Sequence, residues 1–242
     1  MARLTSTPFD NLSWLPQTLV LLGTDAAGKN HVARVWVDRL TELGRAPAVQ
    51  EGWLSSTPAP PRDDDDKSVA SHLAEALFLR VFPLIAWAMP TVLHGLLRRD
   101  LRRFPRDRQN RLVVSHSVLR ILAFCLGARG RSQIPPRSAS AVEAFRRGSG
   151  AVFIVLDVDH EVRRRRIEDR VSRDDADPFD RYMLADAERS ERIEACLVQL
   201  ATQHLGAHLI VNNNLDDGAL WRELETACRA AEPQGPGAAA RT

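Results

Sequence analysis

Between Thr18 and Leu40 an apolar run, Leu19-Val20-Leu21-Leu22, stops at Gly23-Thr24-Asp25-Ala26-Ala27-Gly28-Lys29-Asn30 and gives way to Val32, Val35, Trp36 and Leu40. Adjacent apolar residues without alternation fit a strand buried on both faces, and the later spacing fits a helix with one buried stripe. The residues between must join the two, and they meet the template G-x-x-x-x-G-K-[ST] at Gly23, Gly28 and Lys29. A loop of this kind turns backbone N–H groups toward a phosphate at a helix N-terminus. Glycine allows the close approach, and the lysine ammonium neutralises the outer phosphates. Gly23, Thr24, Ala26, Ala27, Gly28, Lys29, Asn30 and His31 are therefore the expected nucleotide-binding residues, with ATP as the expected ligand.

Of 33 lysine and arginine residues only Lys29 and Lys67 are lysine, so arginine stands wherever a generic cation suffices. Position 29 calls instead for a compact point charge that reaches between phosphates, which a planar guanidinium does not match. The template's last position is Asn30 rather than Ser or Thr, which would put a hydroxyl on Mg²⁺. Its amide oxygen is also a hard ligand, which makes Asn30 the expected Mg²⁺ residue.

Composition narrows the class. A chain of 242 residues that is 44% hydrophobic and 26% charged can bury a full core, and one α/β domain over 1–231 is expected. A net charge of +2 supplies no overall attraction for nucleic acid. Cys125, Cys196 and Cys228 lie far apart without C-x-x-C spacing, which fits a reducing cytoplasm and argues against structural zinc. The N-terminus lacks a secretory apolar core. The apolar stretch from Val81 to Leu97 is interrupted by Pro83 and Pro90 and bracketed by arginines, so it reads as a buried helix pair rather than a membrane span.

Further strands are expected at Pro47 to Val49, Arg111 to Val114, Ala151 to Leu156 and Leu209 to Val211. Helices are expected over Val69–Leu79, Leu84–Phe104, Val118–Leu126, Ala139–Phe145, from His160, Met183–His204 and Asp217–Ala231. Residues 55–67, with their prolines and the run Asp63 to Asp66, read as a solvated acidic loop, and 232–242 as a disordered tail. Ligands of open α/β sheets bind at the C-terminal ends of the strands, which makes Ser115, His116 and Asp157 candidates for the substrate side.

The strand–loop–helix at Gly23 to Lys29, and Leu156-Asp157-Val158-Asp159-His160-Glu161-Val162 leading to Arg166, Arg170 and the segment Asp177 to Tyr182, together resemble the thymidylate kinase-like group of P-loop kinases. The resemblance implies an α/β P-loop NTPase three-layer fold with a central parallel sheet and a helical substrate and lid region. It makes 160–182 an arginine-rich lid over the nucleotide phosphates, with Arg166, Arg170 and Arg173 as catalytic cations. Asp25, the acidic residue inside the loop, would orient the acceptor. The family's Asp-Arg pair after the second sheet strand is replaced by Ser115-His116, and 53–111 is a divergent, mostly helical acceptor region.

The expected activity is an ATP-dependent, Mg²⁺-assisted phosphotransferase acting on a nucleotide, nucleoside or other small phosphate-accepting metabolite, as a cytoplasmic protein with a homodimer left open. Two alternatives stay open: a nucleotide-binding interaction protein with little or no turnover, since Asn30 and Ser115 both weaken metal handling, and a nucleic-acid end kinase using the arginine clusters.

Overall fold

Five short apolar runs become strands: β1 (Thr18–Leu22), β2 (Ala48–Gln50), β3 (Leu112–Val114), β4 (Val152–Asp157) and β5 (His208–Val211). They form one all-parallel sheet in the order β2-β3-β1-β4-β5 in the computed structural model, which describes residues 14–50, 69–85, 88–102, 104, 111–131 and 133–231. Side chains alternate between two cores. Val20, Leu22, Leu112, Val114, Phe153 and Val155 enter one, while Leu19, Leu21, Val113, Ile154 and Leu156 enter the other. β1, β3 and β4 are covered on both faces, which is why they are apolar at nearly every position, whereas the edge strand β5 leaves Leu209 and Val211 exposed.

Helices α1 (Lys29–Glu42) and α9 (Asp217–Ala230) cover one face, where Trp36 and Trp221 pack with ring centroids 5.3 Å apart beside Trp14. The other face carries α2 (Val69–Ile85), α3 (Met89–Leu101), α4 (Val118–Gly127), α5 (Pro136–Ser149) and α8 (Ala187–Gln199), with a π-helical turn at Leu200–Leu205. The result is the three-layer α/β arrangement expected of the phosphate-loop sequence. Helices α6 (His160–Ser172) and α7 (Pro178–Leu184) follow β4 at the ligand end of the sheet.

Several helix boundaries differ from the sequence expectation; α5, expected over Ala139–Phe145, runs from Pro136 through Gly148 to Ser149. The helix expected to stop at Leu79 runs through Pro83 to Ile85, with the proline in the last turn, two residues from the end. The second expected segment begins as α3 at Met89, with Pro90 in the first turn, where its missing N–H costs nothing. The long helix expected from Met183 to His204 is broken instead, because the Asp186 side chain accepts from Arg189 N at 2.9 Å and caps a new helix, α8. Asp177 does the same for α7, accepting from Asp180 N at 2.8 Å with Pro178 at the first position. Both segments of the Val81–Leu97 stretch lie in α2 and α3, and among the described residues no helix is long and apolar enough to cross a membrane. Residues 1–13, the acidic segment 55–67 and the tail 232–242 lie outside the described residues.

The sheet order positions the site. β1 has β3 on one side and β4 on the other, so the connections diverge at its C-terminal end, where Gly23, Ser115 and Asp157 come together on neighbouring strands.

Candidate functional site

The loop from Gly23 to Lys29 is held from outside by side chains that take its carbonyls. Arg166 Nη1 donates to Ala26 O at 3.1 Å, and Asn212 Nδ2 donates to Ala27 O at 3.0 Å. A peptide N–H points opposite its C=O, so anchoring these carbonyls also fixes the direction of the amides that follow them. Gly28, at φ 87°, caps α1, and a Cβ there would lie 2.7 Å from Asn212 Nδ2. Only glycine fits both the left-handed backbone and that approach.

Lys29 is 6% exposed, and its Nζ donates to Thr24 O at 2.6 Å. Burial, with Arg120 and Arg170 nearby, pushes its ammonium down to about 7 against the opposing pull of Asp25 and Asp177. The side chain of Thr24 accepts from Arg163 Nη1 at 3.0 Å. Asn30 is exposed at the second position of α1, and His31 Nε2 lies 3.1 Å from Asp217.

Beside the loop lies a cluster of charges. Asp25 is ion-paired with Arg120, whose guanidinium stands over the Phe179 ring at 5.4 Å. Arg170 Nη1 lies 3.1 Å from Asp180 Oδ2. Asp25, Asp177 and Asp180 each bring a carboxylate oxygen to within 4.8 Å of the others. The Asp180 side chain is 1% exposed, and its Oδ1 has no hydrogen-bond partner among the described residues. Burial, then the charges of Asp177 and Asp25, push its carboxyl up to about 6, with Arg170 opposing. Three cations, Lys29, Arg120 and Arg170, thus face three carboxylates.

The remaining sequence candidates occupy distinct places. Ser115 is buried at the end of β3, with its Oγ 3.3 Å from Gln50 O and 3.2 Å from His116 Nδ1. Asp157 ends β4, where its carbonyl accepts from Asn212 N at 2.7 Å. Arg166 serves the loop and also donates to Asn212 O and Asn214 Oδ1, both at 3.0 Å. Arg173 is exposed at the C-terminal end of α6 and donates to Asp169 O at 3.2 Å.

Sequence reasoning passed over Arg120, Arg163, Asp177 as a cap, Asp180 and Asn212. Arg120 carried a signal, being the one charged residue in the apolar run of α4. Asp177-Pro178 was a helix start readable from cap chemistry. Arg163 carried none, since it stands in a run of four arginines and is nonetheless 1% exposed.

No protein-family model matches the sequence, and no curated protein does. Among solved structures the chain is similar to deoxyadenosine kinase from M. mycoides with bound dCTP, at 13% identity and a TM-score of 0.49, over 88% of this chain and 99% of that one. It is also similar to deoxyadenosine kinase from M. mycoides with bound dATP, at 12% identity and a TM-score of 0.49, over 86% of this chain and 97% of that one.

Proposed function

We propose that this chain is an ATP-dependent phosphotransferase acting on a small acceptor: a nucleotide, a nucleoside or another phosphate-accepting metabolite. One observation carries the reading: a buried lysine inside a glycine-bounded loop, with two arginine–aspartate pairs beside it. Phosphoryl transfer asks a protein mainly for positioning and for positive charge where negative charge develops. Lys29 neutralises the outer phosphates. Arg170 and Arg120 are at hand for the transferring group, and Arg166 keeps the loop in shape through Ala26. Asp25, at the loop's edge, is the polar partner for an acceptor group once Arg120 turns to phosphate.

Mg²⁺ takes hard oxygen ligands, and Asn30, exposed in the first turn of α1, has an amide oxygen to offer. The ion, when bound, offsets phosphate charge. A second reading, a nucleotide-binding interaction protein, is favoured by Ser115, since the end of β3 presents a hydroxyl engaged with Gln50 and His116 and no carboxylate.

The test is calorimetric titration of a non-hydrolysable ATP analogue into the parent and Lys29→Ala proteins, followed by ATP consumption against a panel of small acceptors. Lys29→Ala should weaken affinity at least about tenfold, the scale of a lost hydrogen bond to a charged group. Equal affinities would sink the loop assignment. Binding without turnover on any acceptor would favour the second reading.

A further inference from the structure

Asp25, Asp177 and Asp180 stand opposite Lys29, Arg120 and Arg170, and a triphosphate entering the loop competes for the same three cations. Once phosphate oxygens draw Arg120 and Arg170 away, three clustered carboxylates are left beside a ligand of their own sign. Two of the three aspartates are buried, so water does little to screen them. A counter-charge must arrive with the nucleotide.

We propose that Asp25, Asp177 and Asp180 form a divalent-cation site that loads together with the nucleotide phosphates, the cation replacing Arg120 and Arg170 as the carboxylates' partner. The inference rests on the phosphate-loop reading and deepens it. Geometry supports it, because ligand oxygens within 4.8 Å of one another span about twice the metal–oxygen distance of ~2.1–2.5 Å for Mg²⁺ or Ca²⁺. An independent feature points the same way: Asp180 Oδ1, within a side chain 1% exposed, has no hydrogen-bond donor among the described residues. Acceptors of this kind are normally satisfied, and a cation bound in the cluster satisfies it. All-oxygen donors without imidazole or thiolate select Mg²⁺, Mn²⁺ or Ca²⁺ over zinc.

Calorimetric titration of a non-hydrolysable ATP analogue in EDTA and in Mg²⁺ tests this without reliance on turnover. The parent should gain at least about tenfold in affinity from Mg²⁺. Asp180→Asn should bind the analogue more tightly than the parent in EDTA, having lost a repelling charge, and should gain less than about twofold from Mg²⁺. Asp177→Asn should behave alike and guards against misfolding, because asparagine also caps a helix. Equal Mg²⁺ gains in parent and both variants would overturn the site and place the ion elsewhere. If the analogue binds none of the proteins in either condition, the phosphate-loop reading falls and takes this site with it.

Discussion

Lys29 is where single-residue chemistry is most exposed to measurement. Its ammonium ordinarily titrates near 10.5, and burial brings it down to about 7. Between those values the unfolded chain binds a proton that the folded chain does not, so the stability of the ligand-free protein should rise with pH across that window. The slope should approach, at most, about 1.4 kcal/mol per pH unit. Urea unfolding at pH 7, 8 and 9 should show this rise in the parent and lose it in Lys29→Met; a flat parent would mean the lysine keeps its proton. Phosphate then restores the favoured charge, so nucleotide binding at pH 8 should take up about one proton, read from calorimetry in buffers of different ionisation enthalpy. Asn30 is the second residue-scale case. Asn30→Ser supplies the hydroxyl usual at that place and should preserve or raise Mg²⁺-dependent turnover. Abolished turnover in Asn30→Ser would mean that the amide bonds something a hydroxyl cannot reach.

At the scale of elements, α6 divides its arginines by task. Arg166 is spent on the Ala26 and Asn212 carbonyls, whereas Arg170 pairs with Asp180 at the charge cluster. Arg170→Ala should therefore lower kcat by about 10²–10³ with a smaller change in nucleotide affinity, while Arg166→Ala should weaken affinity by loosening the loop. If both keep full turnover, neither serves as a lid cation. Helix α4 offers a packing test, because a Cβ on Gly127 would lie 2.5 Å from Ile193 Cα on α8. Gly127→Ala must push two backbones apart and should cost ~1–3 kcal/mol in urea unfolding. The five strands and the glycine-bounded turn after β1 were legible in the sequence because apolar runs and turn chemistry are local properties. The break between α7 and α8 was not read, although Asp186 marks it. A side-chain cap competes with helix continuation, and apolar spacing alone does not register that competition.

Across the whole molecule, what the sequence could not reveal is which distant groups meet. The run Arg163 to Arg166 reads as part of one arginine-rich lid, yet Arg163 is buried and joins distant parts of the chain. Its guanidinium lies 2.6 Å from Glu194 Oε2, donates to Ser190 Oγ at 2.8 Å and reaches Thr24 Oγ1 at 3.0 Å. The bond to Thr24 spans 139 residues, and no local pattern encodes such a partner. The arrangement couples the loop after β1 to α6 and α8, so fold stability and loop geometry pass through one side chain. Arg163→Ala leaves the partly buried Glu194 without its cation and should cost ~1–3 kcal/mol. Arg163→Met combined with Glu194→Leu removes both charges at similar volume and should recover most of that loss, since well-packed apolar residues often replace a buried ion pair without penalty. Nucleotide affinity should not recover with it. Thr24 would lack both its guanidinium donor and its Glu194 partner, and the double variant should bind an ATP analogue at least about tenfold more weakly than the parent, the scale of a hydrogen bond to a charged group. Urea unfolding and calorimetric titration of the parent, both single variants and the double variant separate the two roles. Recovery of stability and affinity together would show that Arg163 holds the fold alone and does not shape the loop.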